Sequence, residues 1–383
     1  MEKNNLKLAI QLRHELHQHP ELSNQEVWTK QHIMQFLHIH TNLEIVDKDA
    51  WFYAVYRAGN DKKNLAFRAD MDALPIDETI ELPYGSQIPG VSHKCGHDGH
   101  SASLAAFALE VDQKGAEHNV FFLFQHAEET GDGAIQCTDF IQEHNIDEIF
   151  AYHNMSGMPF QTINVIEGTA HFASKGMTIQ MEGSPAHASQ PETGVNPAYA
   201  IAKLIARIPE LTTSDAYKGL VLCTVIQVDI GEKAFGIAAS RGDLLLTIRA
   251  LYEDELDHLQ KTLEALAIEQ AENYGLKVNF SYNDVFPETV NHKESIAKVK
   301  EASGVKGLPV NELNKAFRAS EDFGHFTKLT KGAMIFIGNG EQYPPIHTYE
   351  YDFRDELIET AVELFKGIAN VSEQVPVNII HNK

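Results

Sequence analysis

The sequence predicts an α/β protein in which a mainly parallel sheet with helices on both faces carries an inserted ferredoxin-like α+β domain. Short apolar runs that end in polar clusters indicate buried central strands, and helical spacing between them indicates crossover helices. The order strand, helix, strand, strand, helix, strand fills the middle of the chain. At 383 residues the chain also exceeds the size at which one core keeps growing, so two domains are expected.

The elements of the larger domain follow from local patterns. Residues 6–38 have helical spacing that is interrupted at Pro20, which predicts two helices joined by a turn. The stretches 100–113 and 134–143 are also typical of helices. The apolar runs that predict central strands are residues 64–67, 120–124, 148–152 and 333–337. Strands and helices that alternate in this way form a largely parallel sheet.

The pattern changes between residues 174 and 286. The predicted elements there are a strand (176–182), a helix (196–208), two strands (219–229 and 235–250), a helix (254–274) and a strand (276–285). This order is that of a ferredoxin-like unit. We therefore expect residues 1–173 and 287–383 to form the larger domain and 174–286 to form an inserted dimerisation or lid domain.

Composition excludes several classes of partner. The chain has 31 basic and 54 acidic residues, a formal charge of -23, which repels nucleic acid and anionic membrane surfaces. The first residues lack a signal peptide, and no apolar run approaches the roughly 18 residues of a membrane span. Three cysteines, Cys95, Cys137 and Cys223, are too few for a disulfide framework. These features predict a cytoplasmic protein with reduced thiols.

Polar side chains that can do chemistry follow the predicted central strands. They are Asp70 and Asp72, Glu128 and Glu129, His153, and His347. In open α/β sheets, ligands bind beyond the carboxyl ends of the strands because the loops there converge on one crevice. Acids and imidazoles from separate segments are therefore expected to meet at one edge of the sheet.

Two short motifs carry the strongest chemical signal. Cys95 and His97 flank Gly96, which permits the backbone bend that turns sulfur and imidazole towards one ion. In the pair Glu128 and Glu129, one carboxylate can ligate a metal while its neighbour removes a proton from water. Without further donors, these motifs would also fit a loop with a buried cysteine and an exposed acidic loop. The other donors at the sheet edge favour the metal site.

Several ordered motifs resemble a family of zinc-dependent amidohydrolases that includes aminoacylases, hippurate hydrolases and plant indoleacetyl-amino-acid hydrolases. The motifs are residues 15–23 (ELHQHPELS), 68–75 (RADMDALP), 95–100 (CGHDGH), 125–129 (QHAEE), His153, 320–323 (SEDF), and His347 with 351–353 (YDF). The resemblance covers nearly the whole chain. Ordered motifs at matching intervals are far more specific than any single motif.

The resemblance implies a role for each matching residue. It implies two divalent ions per subunit, with the Cys95 sulfur bridging or shared. The implied metal ligands are Cys95, His97, Glu129, His153 and His347. Glu128 is implied as general base and then acid, and Asp72 as a carboxylate that orients a ligand. His187 matches a histidine that, in relatives, reaches the active site of a partner subunit and helps to hold the substrate carbonyl oxygen.

The sequence also departs from the family pattern. His126 stands where the family usually has Pro, and residues 236–239 (GIAA) stand where it has Asn-x-Ile-Pro. The second departure lies in a stretch near the substrate in relatives, so acyl-group and carboxylate preferences do not transfer. His14 and His17, near the chain start, are expected to make surface or capping contacts.

These features predict a two-metal hydrolase that cleaves the amide bond of N-acyl amino acids or similar small amides by metal-activated water. Zinc is the first choice of metal, with manganese, cobalt or nickel as alternatives. A homodimer through the inserted domain is expected. A dipeptidase or carboxypeptidase on the same site is the main alternative. A non-catalytic metal-binding or partner-binding protein, and a cysteine hydrolase that uses Cys95, remain open.

Overall fold

The computed structural model describes residues 1–213 and 216–370, which form two compact units. The first unit contains Met1–Ala170, Val290–Lys315 and the described residues from Asp322 onward. The second unit contains His171–Thr289 and Ala316–Glu321. The predicted insertion 174–286 falls within the second unit, whereas the return of residues 316–321 to that unit has no counterpart in the sequence pattern.

The helices and strands are numbered along the chain. The described α-helices are α1 (Lys3–Gln18), α2 (Val27–His40), α3 (His97–Lys114), α4 (Gly133–Cys137), α5 (Asp139–Glu143), α6 (Ala198–Thr212), α7 (Glu253–Tyr274), α8 (Lys293–Lys306), α9 (Gly324–Thr327) and α10 (Glu356–Ala369). The described strands are β1 (Glu44–Lys48), β2 (Trp51–Tyr56), β3 (Asn64–Asp70), β4 (Asn119–Gln125), β5 (Glu148–Ser156), β6 (Ile163–Val165), β7 (Gly168–His171), β8 (Ala173–Glu182), β9 (Ala186–His187), β10 (Val221–Ile230), β11 (Ile237–Ala238), β12 (Arg241–Ala250), β13 (Lys277–Phe286), β14 (Thr289–Asn291), β15 (Val310–Glu312) and β16 (Lys331–Gly340).

The first unit is built on a sheet with the strand order β1-β2-β4-β3-β5-β16-β6-β15. The four central strands β4, β3, β5 and β16 are parallel, and they coincide with the four predicted apolar runs. Strand β2 pairs antiparallel with β4 on one side, and β6 pairs antiparallel with β16 on the other. The prediction of a mainly parallel sheet is therefore confirmed.

Helices cover both faces of this sheet, as two neighbouring residues of β4 show. The Phe122 ring centroid lies 5.4 Å from that of Phe107 on α3. The Phe121 centroid lies 5.7 Å from that of Phe140 on α5. Successive side chains of a strand point to opposite faces, so α3 and α5 pack on opposite sides. The larger core lies on the α3 face, where Phe67 and Phe365 also pack.

The second unit has the predicted ferredoxin-like order β8-α6-β10-β12-α7-β13. Its sheet has the strand order β10-β12-β8-β13, and every pair in it is antiparallel. Alternate residues of β12 are buried, and α6 and α7 pack with the sheet around an apolar core. Strand β12 is shorter than predicted because Ile237–Ala238 leaves it and pairs with β9 instead. Across the described residues, no helix has the length and apolarity needed to cross a bilayer.

Candidate active site

The predicted donors meet at the carboxyl end of the parallel strands. Asp70 ends β3, the pair Glu128 and Glu129 lies in the turn after β4, and His347 lies in the loop after β16. His153 lies within β5 rather than directly after it, because β5 stays paired with β16 as far as Ser156. Parallel strands deliver their ends to one edge, which explains why residues far apart in sequence converge.

The five predicted metal ligands form overlapping groups of donor atoms. The Cys95 Sγ atom lies 3.3 Å from His153 Nε2 and 3.2 Å from His347 Nε2. Glu129 Oε1 lies 3.5 Å from His347 Nε2 and 3.8 Å from His97 Nε2. Three of the groups with mutual donor distances within 4.8 Å contain at least two of these residues: Cys95, His97 and His153; Cys95, Glu129 and His347; and His97, Glu128 and Glu129. Cys95, His97 and Glu129 each belong to two of these three groups, so the geometry suits more than one ion.

Local backbone geometry aims these side chains. Gly96 has a φ of +98°, and a Cβ there would lie 2.4 Å from Asn154 Oδ1, so glycine is required between Cys95 and His97. His347 has a φ of +62°, which a residue with a side chain rarely adopts. Its backbone N–H donates to the Lys94 carbonyl oxygen at 2.7 Å. That bond ties the His347 loop to the segment that carries Cys95.

Among the five predicted metal ligands, two buried donor atoms have no hydrogen-bond partner within the part of the chain that the structure describes. They are His97 Nε2 and Glu129 Oε1, which face each other across 3.8 Å. A buried polar atom without a partner costs free energy, and such atoms are usually satisfied by protein, water or an ion. A thiol, three imidazoles and a carboxylate are the donors that zinc and similar ions prefer. These residues therefore fit a metal centre.

The charged side chains around the donor cluster favour a bound cation. Burial lowers the pKa of His97, but Asp70, Asp72 and Glu129 outweigh burial and raise it to about 10. Burial raises the pKa of the Cys95 thiol well above its usual range, and the charges of Glu129 and Glu128 raise it further. The acidic side chains thus surround a largely buried cluster of donors. A bound cation relieves the repulsion between these acids and favours the thiolate.

Asp72 connects two of the predicted ligands. Its Oδ1 atom lies 3.1 Å from His97 Nδ1. Its Oδ2 atom accepts the Glu129 backbone N–H at 2.9 Å and the Ser23 hydroxyl at 2.7 Å. A carboxylate on Nδ1 fixes the ring so that Nε2 faces the other donors. Asp72 thus contacts both His97 and Glu129, and the orienting role that the resemblance implies for it stays a prediction.

A fully buried charge network supports the start of α3, and one expectation about it was wrong. His17 is 0% exposed and makes no surface contact. Its Nδ1 atom lies 2.7 Å from Asp98 Oδ2, and its Nε2 atom lies 3.1 Å from Glu78 Oε1. Arg13, one turn earlier, donates to the same Asp98 oxygen at 2.9 Å. Helix α1 packs against α3, and this contact buries a face that the sequence pattern left exposed.

Several supporting residues escaped the sequence interpretation. Asn154 Oδ1 accepts a hydrogen bond from His100 Nε2 at 2.7 Å, and Asn154 Nδ2 donates to the Cys95 carbonyl oxygen at 3.2 Å. Asp322 accepts hydrogen bonds from Arg68 at 2.9 Å and Gln125 at 2.7 Å. Asp322 lies in the SEDF motif, for which the resemblance implies no role. Asn154 directly follows His153, and that adjacency was the only signal for it.

His187 lies on β9 in the second unit. Its side chain is exposed, and its Nδ1 atom lies 2.7 Å from Ser189 Oγ. Ile237 pairs with it across the β9–β11 ladder. This places His187 beside residues 236–239, the stretch that departs from the family pattern. Its catalytic role stays a prediction.

The sheet edge and its donor set define a metallohydrolase type of site. The sequence profile of peptidase family M20/M25/M40 matches residues 66–371, and the chain belongs to that family. The predicted enzyme class, a metal-dependent amidohydrolase, is thereby confirmed.

Similar proteins cover almost the whole chain. A hippurate hydrolase of Campylobacter jejuni is 29% identical over 94% of each chain. An N-acetylcysteine deacetylase of Bacillus subtilis is 28% identical over 94% of this chain and 95% of its own. A solved Bacillus subtilis structure, described as a dinuclear metal binding peptidase of the M20 family, is 25% identical. It matches 96% of this chain and 98% of its own with a TM-score of 0.81.

Proposed function

We propose that this protein is a two-metal hydrolase that cleaves the amide bond of N-acyl amino acids or similar small amides. The observation that carries the proposal is the pair of overlapping donor groups around Cys95, with Glu128 beside them. The names of the similar proteins support the substrate class, since N-acetylcysteine is an N-acyl amino acid. This support does not extend to the residues that would distinguish an N-acyl amino acid from a dipeptide as the substrate. A dipeptidase or carboxypeptidase is therefore the second candidate.

Two divalent ions are proposed, and the dinuclear Bacillus subtilis structure supports that number. The proposed ligands are Cys95, His97, Glu129, His153 and His347. Zinc is the first choice, and manganese, cobalt and nickel are alternatives that availability in the cell could favour. When bound, the ions would supply Lewis acidity and lower the pKa of a coordinated water towards about 7.

The side chains divide the remaining work. Glu128 takes a proton from the attacking water as the new C–O bond forms at the amide carbon, and then passes that proton to the leaving nitrogen as the C–N bond breaks. Asp72 keeps His97 and Glu129 in register through its two oxygens. His187 is proposed to donate to the carbonyl oxygen, where negative charge develops. No covalent enzyme intermediate is required.

A homodimer through the second unit is part of the proposal. Strand β10 lies at the edge of its sheet. Apolar side chains on this strand are exposed: Val225 (37%), Ile226 (59%) and Val228 (43%). An exposed apolar edge strand is a template for pairing with a second copy.

A cytoplasmic location is also proposed. Cys95, Cys137 and Cys223 are free thiols, which supports the predicted cytoplasmic location.

Metal reconstitution combined with a substrate panel tests the proposal. Protein stripped with a chelator should lose hydrolysis of N-acyl amino acids, and added zinc or manganese should restore it. Preferred turnover of free dipeptides would favour the second candidate. Metal binding without any amide hydrolysis would favour a non-catalytic protein. Full activity in the metal-free sample, lost on alkylation of Cys95, would indicate a cysteine hydrolase and contradict the two-metal proposal.

A further inference from the structure

We infer that Glu26 is a positioning residue for the reaction: its buried carboxylate holds the backbone of Ala127 and thereby sets the orientation of the neighbouring Glu128. This inference rests on the proposed function, because it takes Glu128 as the general base. Glu26 lies at the start of α2, about a hundred residues before the turn that it contacts.

The turn after β4 has an unusual backbone conformation immediately before Glu128. Ala127 has a φ of +49°, in the left-handed region that residues with a Cβ rarely adopt. Such a conformation persists only where the surroundings fix it. The Ala127 N–H donates to Glu26 Oε1 at 2.7 Å, and the Ala127 carbonyl oxygen accepts the Gly133 N–H at 3.1 Å. The Glu26 carboxylate therefore holds the N–H side of the strained peptide.

Glu26 does not perform the task that its position in the helix suggests. An acidic residue before the first helical residue usually accepts N–H groups of its own helix. Glu26 makes no such bond. Glu21 instead accepts the Trp28 N–H at 3.2 Å and the Thr29 N–H at 2.8 Å. Because the Glu21 carboxylate accepts the N–H groups at the start of α2, the Glu26 carboxylate is available to bind the turn after β4.

Carboxylates also hold the other side of Glu128. Asp72 accepts the Glu129 N–H at 2.9 Å, and Asp322 accepts the Ala134 N–H at 2.8 Å. Glu26 is the carboxylate that acts on the residue before Glu128. The general base is thus held from both sides, which restricts the direction in which its side chain can leave the backbone. A displacement of about 1 Å in a reacting group can cost on the order of 100-fold in rate.

The chemistry of the contact predicts which substitution is tolerated. Glu26 is 5% exposed, and burial together with the charge of Asp72 raises its pKa to about 7. Protonated and ionised carboxyl groups both keep an oxygen that accepts the Ala127 N–H. A glutamine keeps that acceptor as well, whereas a methionine has similar length and offers no comparable acceptor. Glu26→Gln and Glu26→Met therefore isolate the hydrogen bond.

The test compares Glu26→Gln, Glu26→Met and a matched control, Glu21→Met, in the full-length protein reconstituted with zinc. Glu21 lies on the same segment and caps α2 without contacting the turn. For each protein we would measure kcat and KM on an N-acetyl amino acid, bound zinc per chain, the thermal midpoint, and hydrogen exchange of residues 126–133 by mass spectrometry.

The expected pattern separates positioning from general stability. Glu26→Met should lower kcat by about 10- to 100-fold with KM and bound zinc unchanged, and should speed exchange in residues 126–133. Glu26→Gln should behave like the natural protein. Glu21→Met should lower the thermal midpoint and speed exchange at the start of α2, with kcat unchanged.

Two results would overturn the inference. One is unchanged kcat and exchange in Glu26→Met. The other is a loss in Glu26→Met that follows zinc content and thermal midpoint as in Glu21→Met. If the natural protein cleaves no N-acyl amino acid, the proposed substrate class fails, and exchange of residues 126–133 still decides whether Glu26 holds the turn.

Discussion

The two units of the chain differ in the composition of their interiors. The first unit buries ionisable side chains in its interior, including Arg13, Arg68, Asp70, Lys94 and Asp98, each at most 1% exposed. The second unit packs α6 and α7 on its sheet through an apolar core with residues such as Ile179, Leu204 and Leu244. Burying a charge costs free energy unless it is paired and hydrogen-bonded.

The difference shows which unit bears the free-energy cost of burying charge. In the first unit every charge of the Asp98 network has a partner, and the network fixes the start of α3 next to Cys95 and His97. In the second unit the core is apolar and packs against the four-stranded sheet, whereas His187 lies on the separate two-stranded sheet of β9 and β11. Substitutions of the proposed catalytic residues in the first unit should change chemistry more than stability, and core substitutions in the second should change stability.

The sharpest form of this comparison uses the neighbouring acids Glu128 and Glu129. Glu128→Gln removes the proposed general base and should lower kcat by about 10²- to 10⁴-fold while bound metal stays constant. Glu129→Gln should instead weaken metal binding, because Glu129 Oε1 faces His97 and His347. Steady-state kinetics and metal analysis on both variants test the division. The reverse pattern would mean that the two roles are exchanged.

His187 is the exception that could break the comparison, since it is a proposed functional residue in the second unit. His187→Ala should lower kcat by about 100-fold with little change in metal content, because it removes a donor to the developing oxyanion. If His187 serves a partner subunit, mixing His187→Ala with Glu128→Gln should restore activity in hybrid dimers. Proven subunit exchange without restored activity would rule out action across the dimer.

The apolar core of the second unit gives the stability side of the comparison. Leu244 on β12 is fully buried, so Leu244→Ala should lower the free energy of unfolding by about 2–5 kcal/mol through lost burial and a cavity. Ile226→Ala on the exposed face of β10 is the control, with an expected change within about 0.5 kcal/mol. Urea titration measures both. Equal losses would show that Ile226 is covered in solution.

The smallest effect is expected for the buried charges of the first unit. It is measured as the pH dependence of the free energy of unfolding. Burial raises the pKa of Glu78, but His17 and Lys94 outweigh burial and lower it to about 2. A carboxylate with a lowered pKa stabilises the fold above pH of about 4.5 and loses that contribution as pH falls towards 2. Glu78→Gln should cost about 1–3 kcal/mol at pH 7, and the difference should shrink below pH 4.5. A pH-independent difference would contradict this assignment.

The sequence by itself determined the central strands and the places where the donors occur. Apolar runs of four or five residues that are followed by polar clusters indicate buried strands. Parallel strands bring those clusters to one edge of the sheet. The ferredoxin-like order of the second unit was also readable, because periodicity is a local property. Cys95, His97, Glu129, His153 and His347 accordingly lie together in the structure.

Only the tertiary structure decided which other residues support the site. His17 looked like a surface histidine because nothing near it in sequence reveals that α3 will cover it. No sequence pattern singled out Glu26, and its contact with Ala127 joins positions 101 residues apart. The departure of Ile237–Ala238 from β12 likewise depends on the distant partner β9. Contacts of this kind are set by packing between remote segments, and remote packing leaves no period or motif in the local sequence.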